Sequence, residues 1–143
     1  MIRNIFLFVI IVFSFAKSEF SDTLSYYQKF HIALDSYNSG RYRLAQNQFS
    51  LIINSNNDFD PTSLLMKAYS LYHQKKFDEA IEIIDKLFLN VDNEYYLLQS
   101  KLLLSDIYLS KGNNTLAFKN YLSIRPEIND SLILSDVDKK ITL

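Results

Sequence analysis

The chain of 143 residues contains no cysteine, no tryptophan, and only two glycines and two prolines. Without cysteine there is no disulfide framework, no thiolate zinc site, no cysteine nucleophile and no lipid anchor of the bacterial lipoprotein kind. A β-sandwich or barrel needs a turn about every 8–12 residues, and so few glycines and prolines cannot supply that density, so helices are expected. Charge of either sign is also not in excess. Fifteen basic and sixteen acidic residues leave a formal net charge of −1, which gives no electrostatic footprint for nucleic acid. Apolar side chains are plentiful at 48%, enough for the core of one domain.

The first sixteen residues read as a separate object. Met1-Ile2-Arg3-Asn4 is a short positive start, and Ile5 to Ala16 follows with Ser14 as its only polar residue. That is the pattern of a secretory signal peptide. A helix of twelve residues rises about 18 Å, against the roughly 30 Å of hydrocarbon that a spanning helix must cross. Ser14 and Ala16 place small residues at −3 and −1 of a cut before Lys17, and Ala16 with Ser18 offers a second cut before Glu19. The expected organisation is a signal peptide over 1–16 and a lead-in over 17–25, with the remainder exported to a periplasm or cell envelope. The alternative is an uncleaved anchor extending to Phe20, which tethers the rest; the membrane is met only through this segment. Removing Arg3 leaves 14 basic against 16 acidic residues, a net of −2. With no cysteine, the exported chain draws its stability from helix packing alone.

One phrase occurs three times: Gly40-Arg41-Tyr42-Arg43-Leu44-Ala45, Lys75-Lys76-Phe77-Asp78-Glu79-Ala80 and Gly112-Asn113-Asn114-Thr115-Leu116-Ala117. The closing alanines are 35 and 37 residues apart, a period that signals stacked helical hairpins. Upstream of each stands a small residue in an apolar stripe, Ala33, Ala68 and Ser105. Downstream come Phe49, Ile84 and Tyr121, then Ile52, Leu87 and Ile124. Spacings of three, four and seven put these on one helical face.

These residues resemble the tetratricopeptide repeat, a helix-turn-helix unit of about 34 residues. The family pattern has a small residue in the first helix, a glycine at the turn, an aromatic, an alanine and a second aromatic. Ala33, Gly40, Tyr42, Ala45 and Phe49 match it in the first unit. Ala68, Phe77, Ala80 and Ile84 follow in the second, where Lys75 stands in place of the glycine. Ser105, Gly112, Ala117 and Tyr121 follow in the third, where Asn114 replaces the aromatic. The resemblance implies an all-α chain, a right-handed superhelix or α-solenoid of about three hairpins over 26–125, with units near 26–60, 61–97 and 98–125. Residues 126–143 form a terminal helix or the start of a further repeat.

Packing and capping chemistry lead to the same elements. Two helices approach within about 8–10 Å only where small side chains occupy the crossing; Ala33 with Ala45, Ala68 with Ala80, and Ser105 with Ala117 supply them. Asp60 is placed to cap a helix that begins at Pro61, and Asp92 or Asn93 to cap the next. Gly40 and Gly112 suit the left-handed position that closes a helix, and Pro126 stops the sixth. The spacing predicts helices near 22–38, 41–54, 61–74, 77–90, 94–111 and 115–124, with a seventh near 130–141.

Nothing in the chain assembles into a catalytic set, and no enzyme activity is expected. His31 and His73 lie in the first helices of separate units, and no Asp/Glu/His cluster has metal-ligand spacing. Asp78, Glu79, Glu82 and Asp85 read as the solvated face of a helix, with Glu82 and Lys86 paired at i,i+4. There is no glycine-rich phosphate loop. Neither a cofactor nor a metal is therefore expected. Asn113-Asn114-Thr115 and Asn129-Asp130-Ser131 match the glycosylation acceptor pattern, which matters only in a eukaryotic source and is easily met in an asparagine-rich chain.

The resemblance implies a concave face formed by the first helix of each unit. Carried over position by position, it comprises Tyr27, Phe30, Leu34, Tyr37 and Asn38, then Thr62, Leu65, Tyr69, Tyr72 and His73, then Gln99, Leu102, Asp106, Leu109 and Ser110. No lysine or arginine occupies these positions, which argues against a clamp for a peptide's terminal carboxylate. Tyrosines suit an extended peptide or an amphipathic helix. The expected function is a non-enzymatic scaffold of the cell envelope that holds a protein or peptide, in outer-membrane or cell-wall assembly. Packing of the same stripe against the chain's own ends is the competing reading. Leu132, Ile133, Leu134, Val137 and Ile141 suggest a terminal helix without a polar outer face. That pattern raises two alternatives: an amino-terminal module of a larger envelope protein, such as a penicillin-binding-protein activator or solute-binding protein, and self-association through this end.

Overall fold

A computed structural model of the chain describes residues 24–55 and 59–142. The expected signal segment and nearly all of the lead-in lie outside the described residues. Among the described residues there are seven α-helices, one 3-10 turn and no strand: α1 Tyr26–Asn38, α2 Tyr42–Ser55, α3 Pro61–His73, α4 Phe77–Asn90, α5 Glu94–Ser110, α6 Asn114–Ile124, the 3-10 turn Arg125–Glu127, and α7 Ser131–Ile141. The chain is all-α.

Local chemistry sets the ends. α1 begins at Tyr26, four residues later than the apolar pattern suggests, because Ser25 takes the capping role. Its hydroxyl accepts from the Gln28 amide at 3.4 Å while its own amide donates to Gln28 Oε1 at 2.9 Å, so two otherwise orphaned donors are satisfied reciprocally. Asp60 caps α3 through the Thr62 amide, with Pro61 at the first helical position. For α5 the cap is Asn93 rather than Asp92, and Asp130 caps α7.

The first helix of every hairpin closes in the same way. Arg41, Lys76 and Asn113 amides donate to the carbonyls of Ser36, Leu71 and Tyr108, and the amides just before them, of Gly40, Lys75 and Gly112, donate to Tyr37, Tyr72 and Leu109. This is the paired closure that requires a left-handed residue. Gly40 and Gly112 have φ of 73° and 76°, and Lys75 is forced into the same region at 61°.

Hairpins α1–α2, α3–α4 and α5–α6 pack internally, each second helix also meets the next first helix, and α1 touches α3 as α3 touches α5. Ala33, Ala45, Ala68, Ala80, Ser105 and Ala117 are all fully buried, so side chains of minimal volume occupy the interior of every hairpin. The core forms three clusters. Ala33, Ala45, Phe49 and Ile52 make the first; the largest joins α2 to α5 around Leu71, Ile84, Leu87 and Leu103. The third, with Leu102, Ala117, Tyr121, Ile124 and Ile128, is closed by Val137 of α7.

The terminal helix corrects one expectation. Val137 is buried and Ile133, Leu134 and Ile141 are partly buried, while the exposed positions Ser131, Ser135, Asp136, Lys139 and Thr142 are polar, with Leu132 the exception. α7 therefore does have a polar outer face. Arg125 holds it to the end of α6 through a two-pronged ion pair with Asp138, at 2.6 and 3.0 Å.

Candidate functional site

The face carried by α1, α3 and α5 is built from tyrosines whose hydroxyls reach across to the neighbouring hairpin. Near the helix starts, Tyr26 donates to Asp60 Oδ2 at 2.8 Å, and Thr62 and Tyr96 share a hydrogen bond of 2.7 Å. Midway, the Tyr69 hydroxyl donates to Gln99 Oε1 at 3.2 Å. At the helix ends Tyr37 meets His73 Nε2 at 3.0 Å and Tyr72 meets Ser110 at 3.3 Å. These bonds join residues 30 to 38 positions apart, so the repeat period itself brings the partners together.

Asp60 is the busiest node. Besides the Thr62 amide it accepts from Tyr26 and, at 2.7 Å, from the buried Ser63 hydroxyl. Burial, together with the hydrogen bond to the Asp60 carboxylate, pushes the Tyr26 hydroxyl up to about 12. Burial likewise raises Tyr69 and Tyr37. These phenols are bonded members of a half-buried lattice rather than free surface groups.

His73 sits among rings. It stacks on Tyr42 with centroids 4.4 Å apart and meets Tyr37 and Tyr72 edge-on. Partial burial lowers its pKa, since desolvation penalises the imidazolium. Phe77 lies beyond, tilted against Tyr72.

In the third hairpin Asp106 accepts from the Tyr121 hydroxyl and from Lys140 of α7, the latter at 2.7 Å; Lys140 also pairs with Asp136 at 2.8 Å and lies 5.7 Å from the centre of the Tyr121 ring. Burial would lower the Lys140 pKa, but the hydrogen bonds to Asp106 and Asp136 outweigh it and the net direction is up. A cleft of about 320 Å³ opens here between α3 and α5 on one side and α7 on the other, bordered by Tyr69, Gln99, Asp106, Leu132 and Lys140.

The structure brings together Tyr37, Tyr72 and His73 at one end of this face, and Tyr69 with Asp106 at the cleft. Phe30 and Leu34 are partly buried, Phe30 lying edge-on to Phe49 at 5.6 Å. Leu65 and Leu102 are 5% and 9% exposed and belong to the core clusters, and Leu102 also lines the cleft beside α7. Reasoning from sequence missed Lys140, which puts a cation on a face whose own positions carry none. Its only signal was the i,i+4 spacing from Asp136.

No group of three or more His, Cys, Asp or Glu residues suited to a metal occurs among the described residues, and none of the described helices is long and apolar enough to cross a membrane. No protein-family model, curated protein or solved structure matches the chain.

Proposed function

We propose that the chain is a non-enzymatic scaffold of the tetratricopeptide type, a right-handed solenoid of three helical hairpins exported to a bacterial cell envelope, where the face of α1, α3 and α5 holds a protein or peptide. The observation that carries this reading is the threefold recurrence. Three first helices end in the same paired closure, at 35- and 37-residue intervals set by the alanine phrases, and lie side by side through tyrosine hydroxyls. A repeated platform of aromatic side chains, held in place by bonds between hairpins, presents rigid area at low entropic cost. The α7-bordered cleft, with Gln99 and Asp106 on one wall and Leu132 on the other, is a seat on that face for an extended segment.

Photo-crosslinkers placed at His73 and Gln99 test the reading in the native envelope. A discrete crosslinked partner from both positions, absent when the crosslinker sits at Glu82 on α4, supports it. Equal labelling from all three positions, or none from His73 and Gln99, sinks it. Tyr69→Ala is the wrong probe, because its hydroxyl bond and burial make it a stability change.

A further inference from the structure

We propose that one edge of the molecule, where the first helices begin and the second helices end, rests on the surface of a zwitterionic lipid bilayer. The hydrogen bonds from Tyr26 to Asp60 and between Thr62 and Tyr96 place the starts of α1, α3 and α5 together. A shallow depression shared by Tyr95, Leu98, Pro126 and Glu127 adds the end of α6 to the same edge. α4 ends at Asn90 and α5 begins at Glu94, so the end of α4 belongs there too.

Exposed apolar side chains crowd to this edge. Of the large hydrophobic residues exposed among the described residues, all but Leu44 and Leu51 lie at these helix ends, and four are far out of the core: Tyr27 at 75%, Leu89 at 82%, Tyr95 at 62% and Leu132 at 80%. Tyr27, Tyr95 and Leu132 are the second residues of α1, α5 and α7, while α3 carries the half-buried Thr62 there. The opposite edge, at the hairpin turns, carries Arg41, Lys75, Lys76 and Lys111 instead.

Lipid is the occupant that fits, on two grounds. Tyrosines with aliphatic neighbours match the boundary between headgroups and acyl chains, where a ring is half wet. The chain also enters the described part at this edge: α1 starts at Tyr26, so the uncleaved precursor, whose apolar run Ile5 to Ala16 ends nine residues before Ser25, brings the same edge to the membrane. Charge selects the headgroup. Asp92, Glu94 and Asp130 are exposed along the edge, while Arg125 and Lys101 are engaged with Asp138 and Glu127. Anionic lipid would be repelled, so attraction comes from apolar insertion and is insensitive to salt.

The test is vesicle flotation of the mature chain as recovered from the cells that export it, with phosphatidylcholine vesicles as the probe. The chain is expected to float with them at low and high salt. Joint replacement Tyr27→Ser, Leu89→Ser and Tyr95→Ser is expected to cut partitioning about tenfold or more with the melting temperature held, and Leu44→Ser to change nothing. Failure of the unaltered chain to float overturns the proposal. So does flotation only with phosphatidylglycerol that survives the threefold replacement, which would point to the basic turns. Loss of a dimer in sedimentation, with no lipid bound, would assign the edge to a second copy. Crosslinking from His73 is independent of every one of these outcomes, so the partner-binding reading stands or falls separately.

Discussion

Lys75 holds the backbone conformation that glycine holds in the other two hairpins, at φ 61° beside 73° and 76°. A side chain in the left-handed region costs about 1–2 kcal/mol, partly offset by the lower entropy of the unfolded chain relative to glycine. Lys75→Gly is therefore expected to stabilise by about 0.5–1 kcal/mol, seen as a higher urea midpoint with unchanged slope. Gly40→Ala, where a new Cβ meets open space but the φ is unsuitable, should destabilise by about 1 kcal/mol. Unequal signs for these two substitutions are the point of the comparison, and equal signs would deny the closure its role. His73 gives the pH dependence. Its folded pKa is lowered from the ordinary 6.5 by desolvation, so the fold prefers the neutral ring and the unfolded chain binds the proton first. The corresponding stability is fully present above pH 6.5 and declines as pH falls below it. Urea midpoints measured from pH 8 to pH 5 should fall more for the unaltered protein than for His73→Gln.

Helix packing turns on the six small residues in the hairpin interiors. Ala80 is fully buried opposite Ala68, in the largest cluster. Ala80→Leu is expected to cost about 1–3 kcal/mol through overpacking, measured by urea unfolding. A neutral result would mean that α3 and α4 do not meet at these residues. At this scale the sequence was widely legible. Helix spans followed from apolar spacing and from Asp60, Pro61, Gly40 and Gly112, because capping and closure are local chemistry. The start of α1 was not, since the break depends on Ser25 and Gln28 bonding each other. Site chemistry was less legible. Tyr69, Tyr72 and His73 could be placed on one face, but whether a hydroxyl is free or bonded depends on a residue some 35 positions away. Leu65 and Leu102 share the spacing of groove positions, and only their packing with core residues far along the chain buries them.

Across the whole molecule, contacts fall mainly between helices adjacent in the chain, and the core is divided among three clusters of unequal size. In such an arrangement stability is close to a sum of local terms and nearest-neighbour terms, so opening need not be all-or-none. The first cluster has four buried residues, two of them alanines, whereas the central one spans α2 to α5 and contains a dozen. α7 is held by Val137 and by ion pairs that are at least partly exposed, where solvent screens the attraction. Native-state hydrogen exchange should therefore show the largest opening free energies in α3 to α5 and smaller ones in α1 and α7. Phe49→Ala, which removes the fully buried ring of the first cluster, should cost about 3–5 kcal/mol. That loss should register first as lost protection in α1 and α2, with α5 and α6 still protected at low denaturant. Protection that falls equally in every helix would show instead that the tyrosine bonds between first helices couple the three hairpins into one cooperative unit.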